Sequence, residues 1–199
     1  VIIKMGEAMT AITLNLEPVI NLTAEQFYQL CRVNPDAKLE RTALGELVVM
    51  APTGGETGSR NRRLTQRLGT WTDEDGTGEA FDSSTMFQLS NGALRSPDAA
   101  WIPLERWEAL APEERKTFPP ICPDFVVELW SDSDTLKSLQ DKMQEYMENG
   151  TRLGWLIDPK GKQVEIYRQG KEKEVLISPN RLSGEDVLPG FILNLQGIL

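Results

Sequence analysis

Two acids stand in strand-forming segments where a strand gains nothing from charge, and a lysine follows on the next helix. In Phe125-Val126-Val127-Glu128-Leu129-Trp130, alternation places Val126, Glu128 and Trp130 on one face and Phe125, Val127 and Leu129 on the other. Glu128 therefore interrupts a run that is apolar on both faces. In a buried central strand an unpaired carboxylate there costs roughly several kcal/mol; in a strand with one half-exposed face, Glu128 meets water or a basic partner. Asp98 follows a proline in Arg95-Ser96-Pro97-Asp98-Ala99-Ala100-Trp101-Ile102, and taken singly it reads as a strand-entry Asp bonded to backbone. Lys142 falls about 60° from Leu139 on a helical wheel, at the rim of the stripe formed by Leu136, Leu139, Met143, Tyr146 and Met147. A rim lysine ordinarily snorkels to water. Together the three residues offer two carboxylates for a divalent ion and one ammonium for a phosphate or a water. Such an oxygen site suits Mg²⁺ or Mn²⁺. Phosphodiester hydrolysis uses that arrangement, because the ion polarises the phosphoryl oxygen and acidifies the attacking water.

Composition narrows the chemistry further. The chain of 199 residues contains no histidine, which removes Ser-His-Asp and Cys-His nucleophiles, His-ligated zinc and imidazole acid–base catalysis. Its 21 Lys+Arg against 30 Asp+Glu give a net charge of −9, which opposes binding nucleic acid by bulk electrostatics but leaves room for a local basic patch. Cys31 and Cys122 form no C-x-x-C pair, so a disulfide framework or thiolate metal site is not expected. No apolar run approaches the ~20 residues of a membrane span, and the opening Val1–Gly6 lacks a signal-peptide core, with Met5 or Met9 as a candidate start. A cytoplasmic protein is expected.

The elements that must position these residues read as one unit, a single domain over residues 1–199, with an N-terminal extension over 1–22 and a C-terminal β extension over 160–199. Thr23 and Gln26 have capping-box spacing and predict a helix over about 24–33. Leu44 to Met50 reads as a strand, broken by Pro52-Thr53-Gly54-Gly55. Leu64, Leu68 and Trp71 predict a helix from Glu56 or Ser59 to Thr72, with Arg60, Arg63 and Arg67 beside the stripe. Strands follow around 79–81 and 86–89, then one from about Ala93 to Ile102 after a Ser90-Asn91-Gly92 turn. A short helix over Leu104–Leu110 and irregular chain lead to the Phe125–Trp130 strand. The helix from Leu136 ends at Asn149-Gly150, and strands at 153–157, 163–167, 173–177 and 191–195 close the chain. The fold class is α+β: a central mixed sheet flanked by helices, with extra N-terminal and C-terminal β hairpins.

Several motifs in order carry a resemblance: Ser96-Pro97-Asp98-Ala99-Ala100-Trp101, Cys122-Pro123-Asp124-Phe125-Val126-Val127-Glu128-Leu129, Ser131-x-Ser133-Asp134, Lys142-x-x-x-Tyr146-x-x-x-Gly150 and Gly154-Trp155-Leu156-Ile157-Asp158-Pro159. The series resembles the Uma-two family of the PD-(D/E)xK superfamily, in its cyanobacterial form, from about Leu22 to Leu195. Leu39-Glu40 with Gly45 to Pro52 is similar to that family's opening hairpin. The resemblance implies a restriction-endonuclease-like core, with Asp98 matching the Asp of the "PD" pair and Glu128 the first acid of "(D/E)xK". The chain departs from the superfamily two residues after Glu128, where Trp130 replaces the lysine; Lys142 matches the position to which this family moves it. Many relatives carry a His where this chain has Glu56, so Glu56 is either an auxiliary ligand or the surface partner of Arg60. Glu40 is likewise an auxiliary ligand or a strand-end acid, and Tyr146 a support for the site or plain core.

The expected activity is a Mg²⁺- or Mn²⁺-dependent endonuclease acting on DNA, with Asp98 and Glu128 as metal ligands, Lys142 as the third catalytic residue, and Arg60, Arg63 and Arg67 touching nucleic acid. A homodimer is expected. The alternative is a catalytically inactive nuclease-fold binding or regulatory module, consistent with the acidic balance and the displaced lysine. A protein-interaction domain, suggested by Trp101, Trp107 and Trp130 if they are exposed, is the third reading.

Overall fold

The computed structural model describes residues 11–199, so the opening Val1–Gly6 and the candidate starts at Met5 and Met9 lie outside the described residues. Strands β1 (Ile12–Leu14), β2 (Leu39–Arg41), β3 (Leu47–Val49), β5 (Phe87–Gln88) and β6 (Leu94–Arg95) form a five-stranded sheet in the order β1-β3-β2-β6-β5. A six-stranded sheet follows the order β11-β10-β9-β8-β7-β4, from β4 (Gly78–Asp82), β7 (Ala99–Pro103), β8 (Phe125–Leu129), β9 (Leu153–Asp158), β10 (Gln163–Arg168) and β11 (Glu174–Ile177). Its one parallel pair is β8 with β9; the other pairings are antiparallel, so the sheet is mixed. The hairpin of β12 (Arg181–Ser183) and β13 (Ile192–Asn194) stands apart from both.

Four helices join them: α1 (Ala24–Val33), α2 (Gly55–Asp75), α3 (Leu104–Glu108) and α5 (Leu136–Glu148), with the single turn α4 (Pro112–Arg115). The Thr23/Gln26 capping box starts α1 as its spacing requires. Helix α2 runs from Gly55 to Asp75, beyond the residues its stripe alone marks, and ends where Gly76 turns left-handed at φ 69°.

Strand β8 is buried along its whole length because both of its faces are covered. Phe125, Val127 and Leu129 join a core with Leu64 and Leu68 of α2 and with the C-terminal segment. Val126 packs on the opposite face against Leu139, Met143 and Tyr146 of α5. The layers are therefore helix, sheet, helix, with the five-stranded sheet and its own core around Phe27, Leu39 and Leu94 set beside them.

The structure corrects the sequence reading in three places. The strand expected over Ala93–Ile102 is two strands in two different sheets, broken at Ser96-Pro97-Asp98, since Pro97 has no N–H for a ladder. The hairpin β12–β13 has its first strand at a segment the apolar pattern passed over. At the N-terminal end, among the described residues, β1 pairs with β3 rather than in a hairpin of its own. Of the tryptophans, Trp101 is buried, Trp107 lies against Phe81, and Trp130 is half-buried with its indole N–H donating to the carbonyl of Asp134 at 3.1 Å.

Candidate active site

The break between the sheets places the acids. Register pairs Ala99 with Val127 across β7 and β8, and one antiparallel step further sets Asp98 opposite Glu128, where cross-strand Cβ atoms are roughly 4.5–5.5 Å apart. The Asp98 carboxylate is fixed from both sides: Oδ2 accepts the Leu129 backbone N–H at 2.9 Å and Oδ1 accepts the Asn61 side-chain amide, from α2, at 2.8 Å.

Lys142 is not at a solvent rim. Its helix is started by Thr135, whose hydroxyl accepts the Ser138 N–H at 3.1 Å, and seated by Leu139, Met143 and Tyr146 on the six-stranded sheet. The flank that carries Lys142 meets β2 and β6 of the other sheet, a surface that a one-face helical wheel does not contain. The ammonium is only 8% exposed and lies 2.8 Å from Glu128 Oε1 and 2.8 Å from Glu40 Oε1. It also donates to the Ser96 carbonyl at 3.4 Å.

Glu40, from β2, is held from every direction. Oε1 accepts the Ser96 N–H at 3.0 Å as well as Lys142, and Oε2 pairs with Arg95 at 3.1 Å. Arg95 reaches onward to Glu145 on α5 at 2.6 Å. The Tyr146 hydroxyl donates to Glu128 Oε1 at 3.1 Å while its ring stays fully buried, so it serves both core and site. Glu40, Arg95, Glu128, Lys142 and Glu145 line a cleft of about 770 Å³ together with Ser131, Ser133 and Asp134 of the β8–α5 loop.

The electrostatics separate the acids. Burial pushes Glu128 up to about 7, and the like charges of Asp98 and Glu40 reinforce it against the pull of Lys142. Asp98 is raised as well, chiefly by burial, with its N–H partners and Lys38 and Lys142 moderating the rise. Burial would also raise Glu40, yet Lys142 and Arg95 hold it below the ordinary carboxylate range. Burial alone would lower Lys142, but Glu128 and Glu40 raise it, so it stays an ammonium.

The donor set fits a hard divalent cation. Among the described residues, every hydrogen bond and ion pair to Glu128 falls on Oε1, and Oε2 has no bonded partner. In the bonded network three carboxylates (Glu40, Glu128, Glu145) face two cations (Lys142, Arg95), and Asp98 stands beside them bonded to no cation, with Lys38 and Lys142 near. No cluster of three or more His, Cys, Asp or Glu among the described residues is spaced to cage a metal. Two carboxylates completed by water and substrate suit Mg²⁺ or Mn²⁺ better than a structural ion.

Not every expected residue converges. Glu56 is exposed at the start of α2 and pairs with Arg60 at 3.2 Å. Arg67 donates to the carbonyls of Asn194 and Gln196, and Arg63 bonds Ser59 while lying against Gly197, so these two arginines hold the C-terminal segment rather than an open groove. Missing from the sequence reading were Arg95, Glu145 and Asn61. Arg95 stood three residues before Asp98 and could have been noticed; Asn61 carried no signal.

The Uma2 family model, described as "Putative restriction endonuclease", matches residues 24–196. The chain belongs to that family. The crystal structure of a "putative nuclease belonging to DUF820" from Anabaena variabilis superposes with a TM-score of 0.72 at 19% identity, covering 89% of this chain and 97% of that one. It has the same restriction-endonuclease-like fold. No curated protein matches the sequence. In this Uma2 chain, Asp98 and Glu128 stand opposite each other across β7 and β8, and Lys142 lies on the helix that follows β8.

Proposed function

We propose that this Uma2 protein is an endonuclease that hydrolyses phosphodiester bonds in DNA with Mg²⁺ or Mn²⁺. The observation that carries the reading is the meeting of Lys142 with Glu128 at 2.8 Å, beside Asp98 and at the wall of an open cleft. Asp98 and Glu128 would hold the cation, which when bound polarises the phosphate and acidifies water. Lys142 keeps an ammonium at the edge of that site, and Glu40 with Arg95 keeps the ammonium in place. Tyr146 stays protonated, pushed up by burial and the nearby acids, and so donates to Glu128. One such site per chain supports a homodimer for cutting both strands of a duplex, and two unpaired cysteines are consistent with the cytoplasm.

A second reading, a nuclease-fold binding or regulatory module without catalysis, is favoured by one observation. Two of the three arginines expected to meet nucleic acid are engaged by residues 194–197. Incubation with supercoiled plasmid and single-stranded DNA in Mg²⁺ or Mn²⁺, beside Asp98→Ala and Glu128→Ala, separates the two. Nicking by the wild type that both substitutions abolish supports the endonuclease; nicking that survives either one, or none on any substrate, removes it.

A further inference from the structure

The environment of Asn61 is unlike that of any other polar side chain near the cleft. Its Nδ2 donates to Asp98 Oδ1 at 2.8 Å, and its own Oδ1 is buried with no hydrogen-bond partner. The amide cannot be turned to relieve this, because Oδ1 would then face the Asp98 carboxylate. A buried acceptor left without a donor costs about 1–3 kcal/mol, and asparagine is a poor residue for a helix interior. Both costs fall at a single position within α2, a 21-residue helix. Six buried side-chain polar atoms lack partners among the described residues, and Asn61 Oδ1 is the one whose residue bonds an acid of the candidate site. Local rules broken at a site residue mark a position retained for function rather than stability.

We infer that Asn61 is a positioning residue for the divalent-cation site, holding Asp98 in its ligating orientation through its side-chain amide. This rests on the cation reading proposed above. Asn61 and the Leu129 N–H take one lone pair from each Asp98 oxygen and leave the other free, which sets the direction from which an ion is bound. Outer partners of this kind change metal affinity by about 10–100-fold when removed. A purely structural asparagine would instead change stability.

The two roles predict opposite signatures for Asn61→Leu, which keeps the volume and favours the helix. Calorimetric titration of the full chain with Mn²⁺, alongside thermal melts without metal, reads both. The expected result is a folded variant with Mn²⁺ affinity at least about tenfold weaker and no further loss when Asn61→Leu is added to Asp98→Asn. Wild-type affinity in Asn61→Leu overturns the inference and leaves the cation site standing, as does an equal loss when Asn61→Leu is added to Asp98→Asn. If the wild type binds no Mn²⁺, or Asp98→Asn binds it unchanged, the cation site fails and the role of Asn61 fails with it.

Discussion

Two buried glutamates lie in one row of the six-stranded sheet. Register pairs Glu128 with Leu156, and Leu156 with Glu165, so the two acids sit on the same face with one strand between them. Each has a tyrosine hydroxyl and a lysine as partners, yet their proton affinities move in opposite directions. Glu128 is pushed up to about 7, while Glu165 is lowered. Two things separate them: Glu128 lies deeper in the molecule, and its charge is less well compensated. Both oxygens of Glu165 are satisfied, Oε1 by Gln140 at 2.7 Å and Lys173 at 2.9 Å, Oε2 by Tyr167 at 2.5 Å. Glu128 has its bonds on one oxygen and two other acids close by. A buried carboxylate marks a candidate site only when its surroundings leave it short of positive charge.

The largest effect that bears on this contrast comes from Lys142→Met. Removing the one cation shared by Glu40 and Glu128 leaves Glu128 buried with no cation and Glu40 with Arg95 alone, and is expected to cost about 3–5 kcal/mol in urea unfolding, along with DNA cleavage. If Lys142→Met unfolds at the wild-type midpoint, the ammonium is not what holds the two acids. Glu165→Gln comes next: losing one charged acceptor is expected to destabilise by about 1–3 kcal/mol while leaving cleavage within about twofold. A large loss of cleavage with intact Mn²⁺ binding would make Glu165 part of the site and dissolve the distinction.

The pH dependence of metal-free stability sharpens the same contrast. A carboxylate raised from 4.5 to about 7 binds more protons in the folded state, so stability falls as pH rises from near 4.5 toward 7. For Glu165 the sign is reversed, with stability present above the ordinary value and lost as pH falls through the lowered one. Melts from pH 2 to 8 should therefore show the decline toward neutrality shrink in Glu128→Gln to the part owed to the raised Asp98, and the acid-side loss shrink in Glu165→Gln. Parallel curves for the two variants would contradict the assignment. The smallest effect is expected from Glu56→Ala, which removes an exposed helix pair and should change stability by no more than about 0.5 kcal/mol, with Mn²⁺ affinity unchanged by titration.

Much of the layered core was legible because its signals are local. The alternation of Phe125–Leu129 gave both faces of β8, and the stripe of α5 gave the residues that seat it. Position along the chain says nothing, however, about which sheet a strand joins, so the division at Ser96-Pro97-Asp98 could not be read from an apolar run. Arg63 and Arg67 looked like a basic face because their partners lie near the other end of the chain, 127 and 129 residues away for the two carbonyls that Arg67 meets. Glu165 and Glu128 present nearly the same local pattern, Val-Glu-Ile and Val-Glu-Leu. Glu128 stood out because its run, Phe125–Trp130, is otherwise apolar on both faces, whereas the run around Glu165 is bounded by Gln163 and Arg168; the resemblance then gave Glu128 a role. Asn61 became visible only as an unpartnered atom.

The sheet-to-sheet crossing at Pro97 also ties the order of assembly to the charge network. Asp98 and Glu128 come together whenever the six-stranded sheet forms, but Glu40 and Arg95 arrive only with the five-stranded one. Apart from the other sheet, Lys142 would have a single carboxylate partner and Glu40 only Arg95, its neighbour in its own sheet. The ion network is thus complete only when both sheets are in place, and the six-stranded sheet alone would hold both acids with an incompletely anchored lysine.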